Sequence, residues 1–276
     1  MDLVLQHEDF SRCDLGGLAG LAGPSESTGA KVLRFAVAEG FTLPDGLAGD
    51  LARQEIDWAI LPRYRFADLG LIVSDMDSTL ITIECVDEIA AVAGLGGEVA
   101  AITEQAMRGE LDFEQSLRRR VGLLAGLPLG VLQEVYGRTL HLSPGAESLL
   151  GECRRHNVKF MLVSGGFTFF TDRLTTRLGL DYAFANILDT EGGRLTGRLN
   201  GRIIDAAAKA GLLREYRDKL NLGHVQVAAV GDGANDIPML QEAGWGIAYR
   251  AKPKTEAAAD ACIRYGGLDR LRGWFV

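Results

Sequence analysis

From Gly70 onward, short apolar runs alternate with longer amphipathic stretches. GLIVSD (70–75), KFMLVSGG (159–166), QVAAVGDG (226–233) and WGIAY (245–249) are too short for buried helices and end in turn-forming residues, which predicts strands buried on both faces. Between them PGAESLLGECRRH, with Pro144 at a favourable first position, FTDRLTTRLGL, DAAAKAGLLREYRDKL and NDIPMLQEAG carry helical periodicity. ILDTEGGRLTG reads as a hairpin with Gly192 and Gly193 at its turn. Buried strands separated by helices predict an α/β fold with a doubly wound, Rossmann-like parallel sheet. In such folds ligands collect beyond the carboxyl ends of the strands.

Two regions interrupt or precede this pattern. Residues 84–140 read as entirely helical and are too long for a plain crossover, so they are expected to form a cap domain over the strand ends. The catalytic core would then comprise residues 70–83 and 141–276. Residues 1–69 differ from the rest: GGLAGLAGPSESTGA is loop-like, KVLRFAVAEGF is mixed, and LAGDLARQEIDWAI reads as a helix. A small N-terminal domain without evident chemistry is expected there.

Composition narrows the function classes. At 47% apolar and 24% charged, the 276 residues are those of an ordinary globular protein. A net charge of −8 argues against a nucleic-acid surface or a polybasic membrane contact. Cys13, Cys85, Cys153 and Cys262 form no CxxC pair, and His7, His141, His156 and His224 do not cluster, so neither a disulfide framework nor a zinc site is expected. MDLVLQHEDF lacks the features of a signal peptide, and no apolar run is long enough to cross a bilayer. A cytoplasmic location is the expectation.

The chemistry lies at three strand ends, SDMDST, VSGGFT and VGDGAND. A parallel sheet would bring Asp75, Asp77, Asp232 and Asp236, the Ser164 hydroxyl and the amides around Gly165 and Gly166 into one crevice. Two aspartates one residue apart oppose each other's ionisation, so a cation between them is the natural complement. An oxygen-only ligand set favours Mg²⁺, which is held by one or two carboxylates together with a substrate phosphate. Any one such strand end is usually only a turn; three together are the signal. GDGAND is no Walker loop, since it lacks the GK[ST] ending.

Three residues read differently by local pattern. Lys209, in DAAAKAGLL, looks like a solvated helix lysine. Glu84, beside Asp87 and Glu88, looks like part of a solvated acidic first turn. Arg120 falls inside the apolar stripe of Phe113, Leu117, Val121 and Leu124, while Arg118 and Arg119 point away. Arg120 therefore either snorkels at a helix edge or meets an anion. Phe113 and Met107 read as cap core.

DMDSTL, VSGG, Lys209 and GDGANDIPML stand in an order that resembles the haloacid-dehalogenase-like phosphatases. SDMDSTLITIECVDEIA, ITEQAMRGELDFEQSLRRRV, LDYAFAN and GRLTG narrow the resemblance to members acting on O-phosphoserine, over Leu71 to about Gly267. The resemblance implies Mg²⁺-dependent hydrolysis of O-phospho-L-serine, the last step of serine synthesis. It assigns Asp75 as nucleophile and Asp77 as acid and base. Mg²⁺ would be held by Asp75, the Asp77 carbonyl and Asp232. Ser164, the Gly165 amide and Lys209 would take phosphoryl oxygens. Asn235 and Asp236 would lie one layer out, Asp236 orienting Lys209 or a metal-bound water. Arg120 would grip the α-carboxylate and Glu84 the ammonium. Two readings compete: another phosphomonoester or an alcohol acceptor on the same fold, and a silent sensor of a phosphorylated ligand. The intact Asp75–Asp77 pair argues against the sensor.

Overall fold

The structure is a computed structural model that describes residues 1–18, 20, 26–27, 31–44 and 46–276. The strand β1 (Asp2–Gln6) pairs antiparallel with β3 (Val32–Ala36) on one side and β4 (Asp57–Leu61) on the other, and β2 (Glu26–Ser27) extends the sheet beyond β3. Alternation along the strands sends Leu3, Leu5 and Phe35 against Leu47 and Leu51 of helix α1 (Leu47–Arg53). Val4, Ala59 and Leu61 face the other way, into the main core.

The single helix expected over LAGDLARQEIDWAI is two elements. Helix α1 stops at Arg53, Glu55 turns the chain at φ +56°, and DWAIL forms β4. Pairing with β1 overrode a helical periodicity that was real only for its first turns. Of the Gly-rich stretch expected as loop, Gly16–Leu18 forms a 3₁₀ turn, and most of the remainder lies outside the described residues.

This sheet is fastened to the end of the chain by buried polar bonds. Arg34 donates to the Gly273 and Phe275 carbonyls, each at 2.8 Å. The Asp57 carboxylate accepts from the Arg264 and Tyr265 amides at 3.0 and 3.1 Å. Burial pushes Asp57 up to about 6, against the pull of those two N–H groups. Its folded value exceeds the unfolded value of 3.8, so the folded state holds the extra proton and stability falls as pH rises between the two. Denaturant titrations of wild type and Asp57→Asn should show it. From pH 4 to 7 wild type is expected to lose about 2 kcal/mol relative to the variant. A constant difference across that range contradicts the assignment.

The main sheet has the order β11-β10-β9-β5-β6-β7-β8. Its strands are β5 (Leu71–Ser74), β6 (Lys159–Phe167), β7 (Tyr182–Glu191), β8 (Arg194–Asn200), β9 (Val227–Gly231), β10 (Trp245–Tyr249) and β11 (Ala261–Ile263). Every pairing is parallel except the β7–β8 hairpin, which turns at Gly192 and Gly193 as expected. Successive side chains go to opposite layers. Leu71, Val73, Met161 and Val227 meet α8 (Ala206–Lys219) and α9 (Ile237–Glu242). Ile72, Phe160, Leu162 and Ala228 meet α6 (Ala146–Arg155) and α7 (Thr168–Leu178). Helix α6 begins two residues after Pro144. Gly145 sits at φ +79°, and the Pro144 carbonyl accepts from Leu268 N–H, so the proline stands before the N-cap.

Between β5 and β6 lie α2 (Cys85–Val92), α3 (Gly96–Met107), α4 (Phe113–Leu123) and α5 (Gly130–Arg138). A capping box at Asp112 and Gln115 starts α4. The two strands leading into and out of this insertion pair with each other, Thr82 N–H to the His141 carbonyl and Ser143 N–H to the Leu80 carbonyl. The β7–β8 turn also bonds to the insertion: Gly126 to Leu195, Leu195 to Leu127 and Leu129 to Gly193, at 2.8–3.1 Å.

Candidate active site

Strands β9, β5 and β6 are neighbours, so their carboxyl ends meet. Asp75 follows β5 directly and is fixed by two backbone bonds: its N–H donates to the Val230 carbonyl at 3.0 Å, and its carboxylate accepts from Met76 N–H at 2.7 Å. The chain then makes a wide turn over Met76–Leu80, in which Asp77 is extended and Ser78 left-handed at φ +54°. That turn aims Asp77 back over the strand end. Asp77 Oδ1 is buried with no hydrogen-bond partner among the described residues.

Lys209 is fully buried, contrary to its local sequence pattern. Its ammonium lies 2.7 Å from Asp75 Oδ1 and 2.7 Å from Asp236 Oδ1. Those carboxylates outweigh burial and raise its pKa, so the lysine is charged at any physiological pH. Asp236 also accepts from Gly233 N–H at 2.9 Å, leaving both of its oxygens engaged. Asp232 accepts from the Thr79 hydroxyl at 3.0 Å. Burial, then the Asp236 charge, push Asp232 up to about 6. Burial, then Glu84, push Asp77 up to about 7, against the Cys85 thiol and N–H, which favour the anion. Asp75 is also driven up, chiefly by burial and then by Asp236, with Lys209 opposing.

Excess buried acid of this kind is what a cation would relieve. Asp75, Asp232 and Asp236 each present an oxygen within 4.8 Å of the others, so the residues fit a divalent metal. With Asp236 committed to Lys209 and Gly233, Asp75 and Asp232 are the freer pair.

Strand β6 supplies the opposite wall. Ser164 is buried, and its hydroxyl accepts from Gly166 N–H at 2.8 Å. A Cβ at Gly166 would lie 2.8 Å from Met76 Cε and 3.1 Å from Asp77 Oδ2, and one at Gly165 would lie 2.9 Å from Phe113 Cζ. Both glycines let the strand end pack closely, Gly166 against Met76 and Asp77 and Gly165 against Phe113 of the helical insertion.

These groups line a cavity of about 630 Å³ roofed by the helical insertion. Asp75, Asp77, Glu84, Arg120, Ser164, Gly165, Asp232 and Asn235 all line it, whereas Lys209 and Asp236 lie behind the carboxylates. Arg120 is 16% exposed, and its Nε is buried without a hydrogen-bond partner among the described residues. Its nearest anion, Asp87, is 3.9 Å away, so the guanidinium points into the cavity with bonding capacity to spare. Arg118 is exposed and pairs with Glu114. Glu84 is exposed at the start of α2 and accepts from the Ser78 hydroxyl at 2.6 Å. Phe113 is wall as well as cap packing; the Met107 side chain lies outside the described set.

Sequence reasoning passed over four residues. Thr79 lies inside DMDSTL itself, and a polar side chain there was the available signal. Cys85 and Lys252, the latter on the cavity wall, carried none. Asn186, a buried amide at the end of the apolar run in LDYAFAN, did.

The haloacid dehalogenase-like hydrolase profile matches residues 72–241. A phosphoserine phosphatase of Polaromonas is 51% identical over 215 residues, covering 76% of this chain and 91% of the relative. The crystal structure of a probable phosphoserine phosphatase from Vibrio cholerae superposes with a TM-score of 0.83 at 37% identity, over 99% of this chain and 85% of that one. A structure described as a phospho-aspartyl intermediate analogue of phosphoserine phosphatase gives 0.71 at 40% identity, over 75% and 99% of the two chains. The chain belongs to the haloacid dehalogenase-like hydrolases and, within them, to the phosphoserine phosphatase family.

Proposed function

We propose that the enzyme hydrolyses O-phospho-L-serine to L-serine and phosphate through a phosphorylated Asp75, with Mg²⁺, as the last step of serine synthesis. The observation that carries the mechanism is the pairing at one strand end of an aspartate held 2.7 Å from a buried lysine and a second aspartate whose buried Oδ1 has no partner among the described residues. An Asp75 oxygen attacks phosphorus while the phosphorus–serine oxygen bond breaks, and Asp77 gives its proton to the departing oxygen. Water then attacks phosphorus, its proton passes to Asp77, and the Asp75–phosphorus bond breaks. Burial holds Asp77 above the usual carboxylate range, which favours the proton that the departing oxygen needs. Ser164, Gly165 and Lys209 stabilise the charge on the phosphoryl oxygens.

Mg²⁺, held by Asp75, Asp232 and the Asp77 carbonyl, would supply a positive field that screens an anionic nucleophile from an anionic substrate. EDTA is expected to abolish phosphate release and added Mg²⁺ to restore it. Undiminished activity in EDTA would exclude the metal reading.

The substrate assignment rests on the cap. The unsatisfied Arg120 suits the α-carboxylate, Glu84 faces the ammonium, and close relatives carry the phosphoserine phosphatase name. Arg120→Ala should cut kcat/KM for phosphoserine by about a hundredfold or more. Turnover of p-nitrophenyl phosphate, which has no carboxylate, should change by no more than about threefold. Equal losses on both substrates would favour another phosphomonoester.

A further inference from the structure

The β6–β7 ladder breaks where the proposed phosphate loop begins. Met161, Leu162 and Val163 pair in register with Tyr182, Ala183 and Phe184, but the next pairing is Phe167 with Asn186. Residues 164–166 thus bulge out of the ladder, which frees Ser164 and Gly165 to face the cavity and leaves the Gly165 carbonyl without a strand partner. A buried carbonyl with no partner is costly. Asn186 fills the gap: its side-chain N–H donates to the Gly165 carbonyl at 2.8 Å.

The other end of the same amide is also used. Asn186 Oδ1 accepts from Ile204 N–H at 2.8 Å. Ile204 directly precedes Asp205, the N-cap of α8, whose carboxylate accepts from Ala208 N–H at 2.7 Å. Lys209 follows on the first turn of that helix. Asn186 itself is 1% exposed, so its amide has no water to satisfy it and is held by these two bonds.

We propose that Asn186 is a positioning residue for phosphoryl recognition. One buried amide sets the separation of the two elements that grip the phosphate, the Gly165 bulge and the helix carrying Lys209. Asn186 is not among the residues that line the cavity. The inference rests on the proposed role of Ser164, Gly165 and Lys209 and extends it to the residue that sets their spacing.

Asn186→Leu keeps the volume of the side chain but loses both bonds, without adding a charge beside the phosphate site; Asn186→Ala loses volume and bonds together. Binding of inorganic phosphate to the Mg²⁺-loaded protein, measured by calorimetry, reads the phosphate grip without catalysis. Each variant is expected to weaken it about tenfold, with a similar loss of kcat on p-nitrophenyl phosphate. Leu3→Ala, a cavity in the N-terminal sheet far from the site, controls for lost stability alone and should leave phosphate affinity unchanged. Should Asn186→Ala fail to fold, the volume-conserving leucine variant decides. Ser164→Ala separates two failures. If it weakens phosphate binding while the Asn186 variants do not, the positioning role is overturned. If it too has no effect, the phosphate-site reading falls and the inference with it.

Discussion

Asp75→Asn is expected to release no phosphate from phosphoserine, a loss of about 10⁴-fold or more. The amide keeps the size and the backbone bonds of the carboxylate, but its oxygen is too weak a nucleophile to attack phosphorus. It also withdraws one of the two charges that hold Lys209. The fold should survive, because relief of a buried acid crowded by Asp236 offsets the lost ion pair. Phosphate release by the purified variant with Mg²⁺ is the measurement. Turnover within about tenfold of wild type would end the covalent mechanism. Acid quench of wild type during turnover should trap phosphate on the protein, and the variant should trap none.

Lys209→Met should produce the largest combined loss of stability and activity. The lysine is fully buried and bonded to two carboxylates, so its removal leaves two acids in a low-dielectric site with no counter-ion among the described side chains. Breaking such a pair from one side costs about 3–5 kcal/mol, and losing the cation that holds the nucleophile about 10²–10³-fold in kcat. Denaturant unfolding without metal should show the first effect. Lys209→Met with Asp236→Asn should recover part of the stability, since one orphaned charge has been removed, while activity stays low. Wild-type stability in the single variant would mean that the lysine is not the counter-ion this geometry makes it.

The sheet and the crevice were legible because both are written in short-range pattern. Apolar runs ending in aspartate or glycine fix where the strands stop, and a parallel sheet then does the gathering. Lys209 was not legible locally. The sequence around it, AAAKAGLL, is equally good for a solvated face, and only the approach of Asp75 and Asp236 from other strands decides its burial. Arg120 was half legible: its place in the apolar stripe showed it to be unusual, whereas the cavity shows where its guanidinium goes. The N-terminal sheet was misread at DWAIL, because its pairing with β1 lies some fifty residues away and leaves no local trace beyond a two-residue alternation. Asn186 required the ladder break to be seen, and a bulge of that kind is a property of two strands together.

The bonds from the β7–β8 turn to residues 126–129 set a mechanical condition on access to the crevice. A roof hung only from its two linkers could swing freely; this one is also latched through residues 126–129. Any outward swing of the insertion would either unzip those bonds or carry the hairpin along as a single lever. The second course keeps every backbone bond intact and puts the bending where β7 leaves the sheet, just beyond Asn186. Entry of substrate and the set of the phosphate loop would then share one fulcrum.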